Sequence, residues 1–191
     1  DGMRKLFREG AIEHIAKQVT DLLNGKLVGG YFARLVFKLA KSMGRSADFR
    51  RMDTQRKGKA IAELLSLHGY EPTPMPHNSC MAGSSSSAVR RGNCRRDGSL
   101  RKEEASHPKC SKCLNGSKAP AQLDRLRAEA SAAREASTSP TLPAPIRLAS
   151  QELAAQLDEL VLVEAKIAQE NAAMFDELVT LWQKVTPLHE A

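Results

Sequence analysis

Aromatic side chains are scarce in this chain: they make up 4% of its 191 residues, with a single Trp. So few large apolar groups argue against one large core and leave little surface on which nucleic-acid bases could stack. No run of 18 apolar residues occurs, so no membrane-spanning helix is expected. Residues 1–23 carry Arg4, Lys5, Glu9, Glu13 and Asp21 and lack a secretory pattern. The chain begins at Asp1 rather than Met, as a processed product or a fragment would. The expectation is an intracellular protein, cytoplasmic or nuclear, neither secreted nor transmembrane, with its four cysteines reduced. The glycosylation pattern Asn115-Gly116-Ser117 then has no use.

Catalytic signatures are missing as well. There is no Walker loop, no G-x-S-x-G, no H-E-x-x-H and no dinucleotide fingerprint. His14 falls beside Glu13 on a helix, His68 at a helix end and His189 in the tail. Cys80 or Cys94 with His107 is the one conceivable thiol pair, and its Ser-rich polar surroundings make a poor pocket. A non-catalytic protein is expected.

What the chain does have is lopsided charge. Residues 1–120 hold 23 Lys/Arg against 11 Asp/Glu, and residues 121–191 hold 6 against 11, so a front of +12 precedes a tail of −5. The front suits an anionic partner and the tail a protein partner.

The fold class expected is mainly α, in three parts. Residues 1–70 read as a small basic helical bundle. Ile12, Ile15, Val19 and Leu22 form one helical stripe, ended by Asn24-Gly25, and Phe32, Leu35, Val36, Leu39 and Met43 form a second. A third helix runs from about Asp53, as N-cap, to His68, with Ile61, Leu64 and Leu65 on its apolar face and Gly69 beyond its end. Residues 71–120 open on Pro72, Pro74 and Pro76 and read as a long irregular Cys/His-containing middle, a polar basic linker that stays disordered unless a ligand folds it. Residues 121–191 resume as helix: Leu123, Leu126, Ala130 and Ala133 share a side, prolines from 140 to 145 interrupt, and a last helix capped by Ser150 runs to about Val185, before Pro187.

That last helix holds a heptad register. Leu153, Leu157, Leu160, Glu164, Ile167, Asn171, Met174, Leu178, Leu181 and Val185 alternate four and three apart. It is expected to form a homo-oligomer through this seam, with Asn171 fixing register, or else to pack on the chain's own helices. Val161, Phe175, Val179 and Trp182 widen the apolar face toward a bundle or a docked partner.

The middle clusters candidate metal ligands. Zinc takes four Cys or His ligands, delivered mostly in close pairs. Cys110-x2-Cys113 is such a pair, and His107 precedes it at the same spacing. The compact set is Cys94, His107, Cys110 and Cys113, with His77 and Cys80 as alternative ligands; four cysteines without histidine is a third option. A structural zinc would fold a segment that has no core of its own.

Two cationic blocks complete the pattern. Residues 34–59 hold Arg34, Lys38, Lys41, Arg45, Arg50, Arg51, Arg56, Lys57 and Lys59. Residues 90–118 hold Arg90, Arg91, Arg95, Arg96, Arg101, Lys102, Lys109, Lys112 and Lys118. Such blocks suit phosphates and imply salt-sensitive binding to nucleic acid. RNA is expected rather than DNA, since no recognition-helix motif is present. The stretch 29–45 is also a basic amphipathic helix of the type that lies on an anionic membrane surface. The order of parts is similar to that of small viral cysteine-rich RNA-binding proteins with a coiled-coil tail, a likeness of layout without a shared motif. The joint expectation is a nucleic-acid-binding protein that self-associates. The alternative is a scaffold subunit of a ribonucleoprotein or viral particle.

Overall fold

The first apolar stripe winds into α1 (Gly2–Leu23) in a computed structural model that describes residues 2–75 and 77–185. Pro76, Pro187 and His189 lie outside the described residues. Helices α2 (Phe32–Met43), α3 (Ala47–Arg51) and α4 (Thr54–Leu67) complete the N-terminal bundle. The Asp53 carboxylate caps α4 as expected, accepting from the Arg56 N–H at 2.8 Å. The short α3 is an addition, capped by the Ser46 hydroxyl. Ile15, Val19, Leu22, Phe32, Val36, Ile61 and Leu65 are all buried in one core. Gly58 lets α4 lie close on α1: a Cβ there would sit 2.4 Å from Thr20 Oγ1 and 2.9 Å from the Ala16 carbonyl.

The middle differs from the irregular linker expected of its composition. It contains β1 (Thr73–Pro74), β2 (Ser79–Cys80), α5 (Ser86–Arg91), β3 (Arg95–Arg96), β4 (Ser99–Leu100), a 3-10 turn at Lys102–Glu104, α6 (His107–Ser111) and β5 (Gly116–Ser117). β1, β2 and β5 form an antiparallel sheet in that order, and β3 and β4 form a hairpin. The hairpin turns on Asp97 and Gly98, both at positive φ (51° and 81°), the geometry that follows the natural strand twist. Met81, Ala82 and Ala88 join the core of the N-terminal bundle.

Buried polar groups supply what apolar area does not. Asn115 donates to the Ala88 carbonyl at 2.7 Å, and its own carbonyl accepts from Met81 N–H at 2.8 Å. Ser117 donates to Gln18 Oε1, Gln18 Nε2 donates to His14 Nε2 at 3.0 Å, and Ser79 Oγ lies 3.3 Å from the same His14 nitrogen. His14 is exposed on α1 and still takes part in a chain of contacts that ties α1 to β2 and β5. A composition count sees polar residues as solvated; paired with one another they can be buried.

Helices α7 (Pro120–Thr138) and α8 (Ala144–Val185) form an α-hairpin, with Leu126, Ala130 and Ala133 against Ala154 and Leu157. α8 starts six residues before Ser150, because Pro145 in a first turn forfeits no hydrogen bond. The C-terminal half of α8 lies on α1 and α2. Phe175 meets Phe37 and Trp182 meets Phe49, both edge to face, at 5.8 and 5.7 Å.

The heptad seam is therefore engaged inside the chain. Leu157, Ile167, Asn171 and Leu178 are buried there, Leu160 and Met174 are packed against the two clusters, and Leu153, Leu181 and Val185 stay exposed. The two polar seam residues find intramolecular partners. Glu164 accepts from Lys118 Nζ at 2.7 Å, and Asn171 donates to the carbonyls of Val28 and Gly30 at 2.8 and 3.0 Å.

Candidate functional site

All four cysteines line one cavity in the middle segment. Cys80 arrives on β2, Cys94 immediately before β3, Cys110 on α6 and Cys113 just after it. The remaining wall is Met75, Asn78, Asn93, Lys102, Ala105, Lys109 and Gly116. The free space is about 20 Å³, enough for one water-sized body. Every cysteine is a free thiol. Burial pushes the Cys94 and Cys110 thiols up, and the neighbouring Cys80 and Cys113 add in the same direction for both. As the side chains stand, no three His, Cys, Asp or Glu groups among the described residues form a ready-made ligand set.

The histidines of the middle sit elsewhere. The His77 and His107 rings face each other with centroids 4.7 Å apart, and His107 Nε2 lies 3.7 Å from Glu129 Oε2 on α7. Burial, reinforced by His107 and Lys118, lowers His77 to about 4. Neither ring lines the cysteine cavity. The compact set of Cys94, His107, Cys110 and Cys113 is thus not what the fold gathers: Cys80 stands where His107 was expected. Spacing could not decide this, because the β2–β5 pairing that carries Cys80 to Gly116 is a long-range contact.

The cationic blocks divide by what each side chain already touches. In the first, Arg50 donates to the Gly44 carbonyl at 2.8 Å and to Arg45 O at 3.1 Å. Lys57 donates to the Met52 carbonyl and lies 5.6 Å over the Trp182 ring. Arg56 pairs with its cap Asp53, and Lys59 shares a groove with Glu9, Glu13 and Glu63. Arg34 lies over the Tyr31 ring at 4.4 Å and 3.8 Å from Glu170. Lys38, Lys41, Arg45 and Arg51 are exposed, and among the described residues none has a carboxylate within ion-pair distance.

In the second block, Arg91 reaches the Tyr70 hydroxyl at 2.8 Å and Lys102 reaches Thr73 Oγ1 at 2.6 Å. Arg96 lies between Asp97 and Glu104, Arg101 pairs with Glu103, and Lys109 pairs with Glu104. Lys118 is buried on Glu164. Arg90, Arg95 and Lys112 are exposed, and among the described residues they too have no ion-pair partner. Sequence reasoning weighted all these cations equally because a linear count cannot see caps and pairs.

The aromatics near the first block are engaged in packing: Phe32, Phe49 and Tyr70 are buried, and Phe37 is half-buried on Phe175. The apolar stripe of α2 faces the core, with Phe32 and Val36 buried and Leu35 and Leu39 packed against it. A membrane would need that same stripe. No described helix is long and apolar enough to cross a membrane. No protein-family model, curated protein or solved structure matches this chain.

Proposed function

We propose that this chain is a non-catalytic nucleic-acid-binding protein that holds phosphates of RNA in preference to DNA and reads little base sequence. The observation that supports it is the outer row of α2. Lys38 and Lys41 project from a helix whose other face is fixed in the core, and Arg45 follows in the turn after its Gly44 cap, so they are a held array of cations that have no carboxylate partner among the described residues. Arg51, and Arg90 and Arg95 beside the hairpin, add similar cations. A pre-positioned row loses less side-chain and backbone freedom on binding than a flexible tail does. With the nearby aromatics packed away, contacts to phosphate outweigh contacts to bases.

The test is fluorescence-anisotropy titration of the full chain with single-stranded RNA, double-stranded RNA and DNA of equal length over a range of salt. Binding should weaken log-linearly with salt, by about 0.7 in slope per phosphate contacted on a single strand. Lys38→Ala/Lys41→Ala/Arg45→Ala should flatten that slope by about 2 with the fold intact. Absence of salt-dependent binding would move the assignment to an interaction subunit. Met3, Leu6 and Phe7, exposed together at the start of α1, would then be the surface to examine first. The reading needs no pairing through the α8 seam, whose buried members already have partners within the chain.

A further inference from the structure

We infer that Cys80, Cys94, Cys110 and Cys113 together bind one zinc ion as an all-thiolate, four-coordinate structural site. Three independent features converge on this. The first is the gathering itself: four free thiols, from three separate parts of the segment, meet at one cavity. Cysteine is a minor residue here, and the fold brings every copy to the same point. Core packing of small apolar groups does not require that, and closed four-ligand sites of structural zinc do.

The second is the turn at Cys110 and Cys113. The Cys113 N–H donates to the Cys110 carbonyl at 3.1 Å, and the Gly116 N–H donates to the Cys113 carbonyl at 3.1 Å. This double turn presents two sulfurs three residues apart toward the cavity. Gly116 is needed beneath it, since a Cβ would stand 2.8 Å from the Cys110 carbonyl.

The third is the wall. Its space fits one small body, and Asn78, 1% exposed, borders it with an Oδ1 that has no hydrogen-bond partner. An amide whose ends can be exchanged would turn its NH2 toward a thiolate. Lys102, whose contact is the neutral Thr73 hydroxyl, also lines the cavity, and its charge offsets part of the two net negative charges of a zinc ion held by four thiolates.

Closing the thiols on the ion requires inward rotation of the cysteine side chains and release of four protons as zinc enters. The ion would join β2, the start of the β3–β4 hairpin and α6, holding a segment whose strands are two residues long. His77 and His107 stay outside the site. The inference is independent of nucleic-acid binding, because its readouts use the protein and metal alone.

The test is metal analysis of the full chain purified without chelator under reducing conditions, followed by cobalt(II) titration of the stripped protein. About one zinc per chain is expected, with a tetrahedral cobalt spectrum whose sulfur charge-transfer intensity corresponds to four thiolates. Each single Cys→Ser variant should lose zinc, whereas His107→Ala and His77→Ala should retain it. The wild-type cobalt spectrum keeps the inference falsifiable even if the serine variants fail to fold. Overturning results are a reduced wild-type chain that binds neither zinc nor cobalt, a three-sulfur spectrum that changes in His107→Ala, protein that carries iron, or loss of all four free thiols to disulfides.

Discussion

The N-terminal bundle and the middle segment are both basic, yet they are held by opposite means. The bundle closes on Ile15, Val19, Leu22, Ile61 and Leu65, each at most 2% exposed. The middle contributes Met81, Ala82 and Ala88 to that core, buries Cys110 and Cys113 outside it, and also buries the polar Asn78, Ser79, Ser85, Ser111, Asn115, Ser117 and Lys118. In the first region, sequence pattern and burial coincide, so the helices declare themselves. In the second, each buried polar group needs one particular partner, often far along the chain. Such a region is specific but brittle: losing an apolar contact leaves a cavity, whereas losing half of a polar pair leaves a desolvated group as well.

The largest expected effect falls where the two regions and α8 meet. Lys118 and Glu164 are each 1% exposed, and Glu164 Oε2 has no further partner. Lys118→Ala should cost about 3–5 kcal/mol in chemical denaturation by leaving a lone buried carboxylate, while Lys118→Met/Glu164→Leu should recover most of it. Failure of the double variant to recover would mean that packing at Gly29, rather than charge, dominates the contact. Leu65→Ala in the bundle should cost about 2–5 kcal/mol, a cavity effect that no partner change repairs. Asn171→Ala should cost about 1–3 kcal/mol, since the Val28 and Gly30 carbonyls lose their donor in a buried site. The same variant tests the seam: sedimentation velocity should show a monomer before and after the change, and a dissociating oligomer would restore the paired-helix reading.

The smallest effect is the pH dependence that His77 contributes in the middle. His77 is lowered to about 4 in the fold against 6.5 in the unfolded chain. Between those values the unfolded state binds the proton and the folded state does not, so stability is full above pH 6.5 and declines toward pH 4. His77→Gln should flatten this decline, by on the order of 1 kcal/mol once solvent screening of a partly exposed ring is allowed for. An unchanged pH profile would place the sensitivity outside the His77–His107 pair.

By itself the sequence determined the main helices of the N-terminal bundle and several of their ends. The stripes of α1, α2 and α4 place their apolar residues on the faces that are buried, and Asp53 caps where the pattern says it should. Local chemistry suffices there, because helical periodicity and capping act over a few residues. The sequence also singled out the Cys/His cluster and the cationic blocks as candidate sites. Only the tertiary structure decided which face covers which. A heptad from Leu153 to Val185 specifies an apolar stripe without naming its partner, and here the partner is the chain's own α1, α2 and α7. In the same way, Cys80 joins Cys94, Cys110 and Cys113 because β2 pairs with β5, and α2's outer lysines stay open because no carboxylate from α8 reaches them. Those outcomes depend on contacts between residues distant in the chain, which no local spacing encodes.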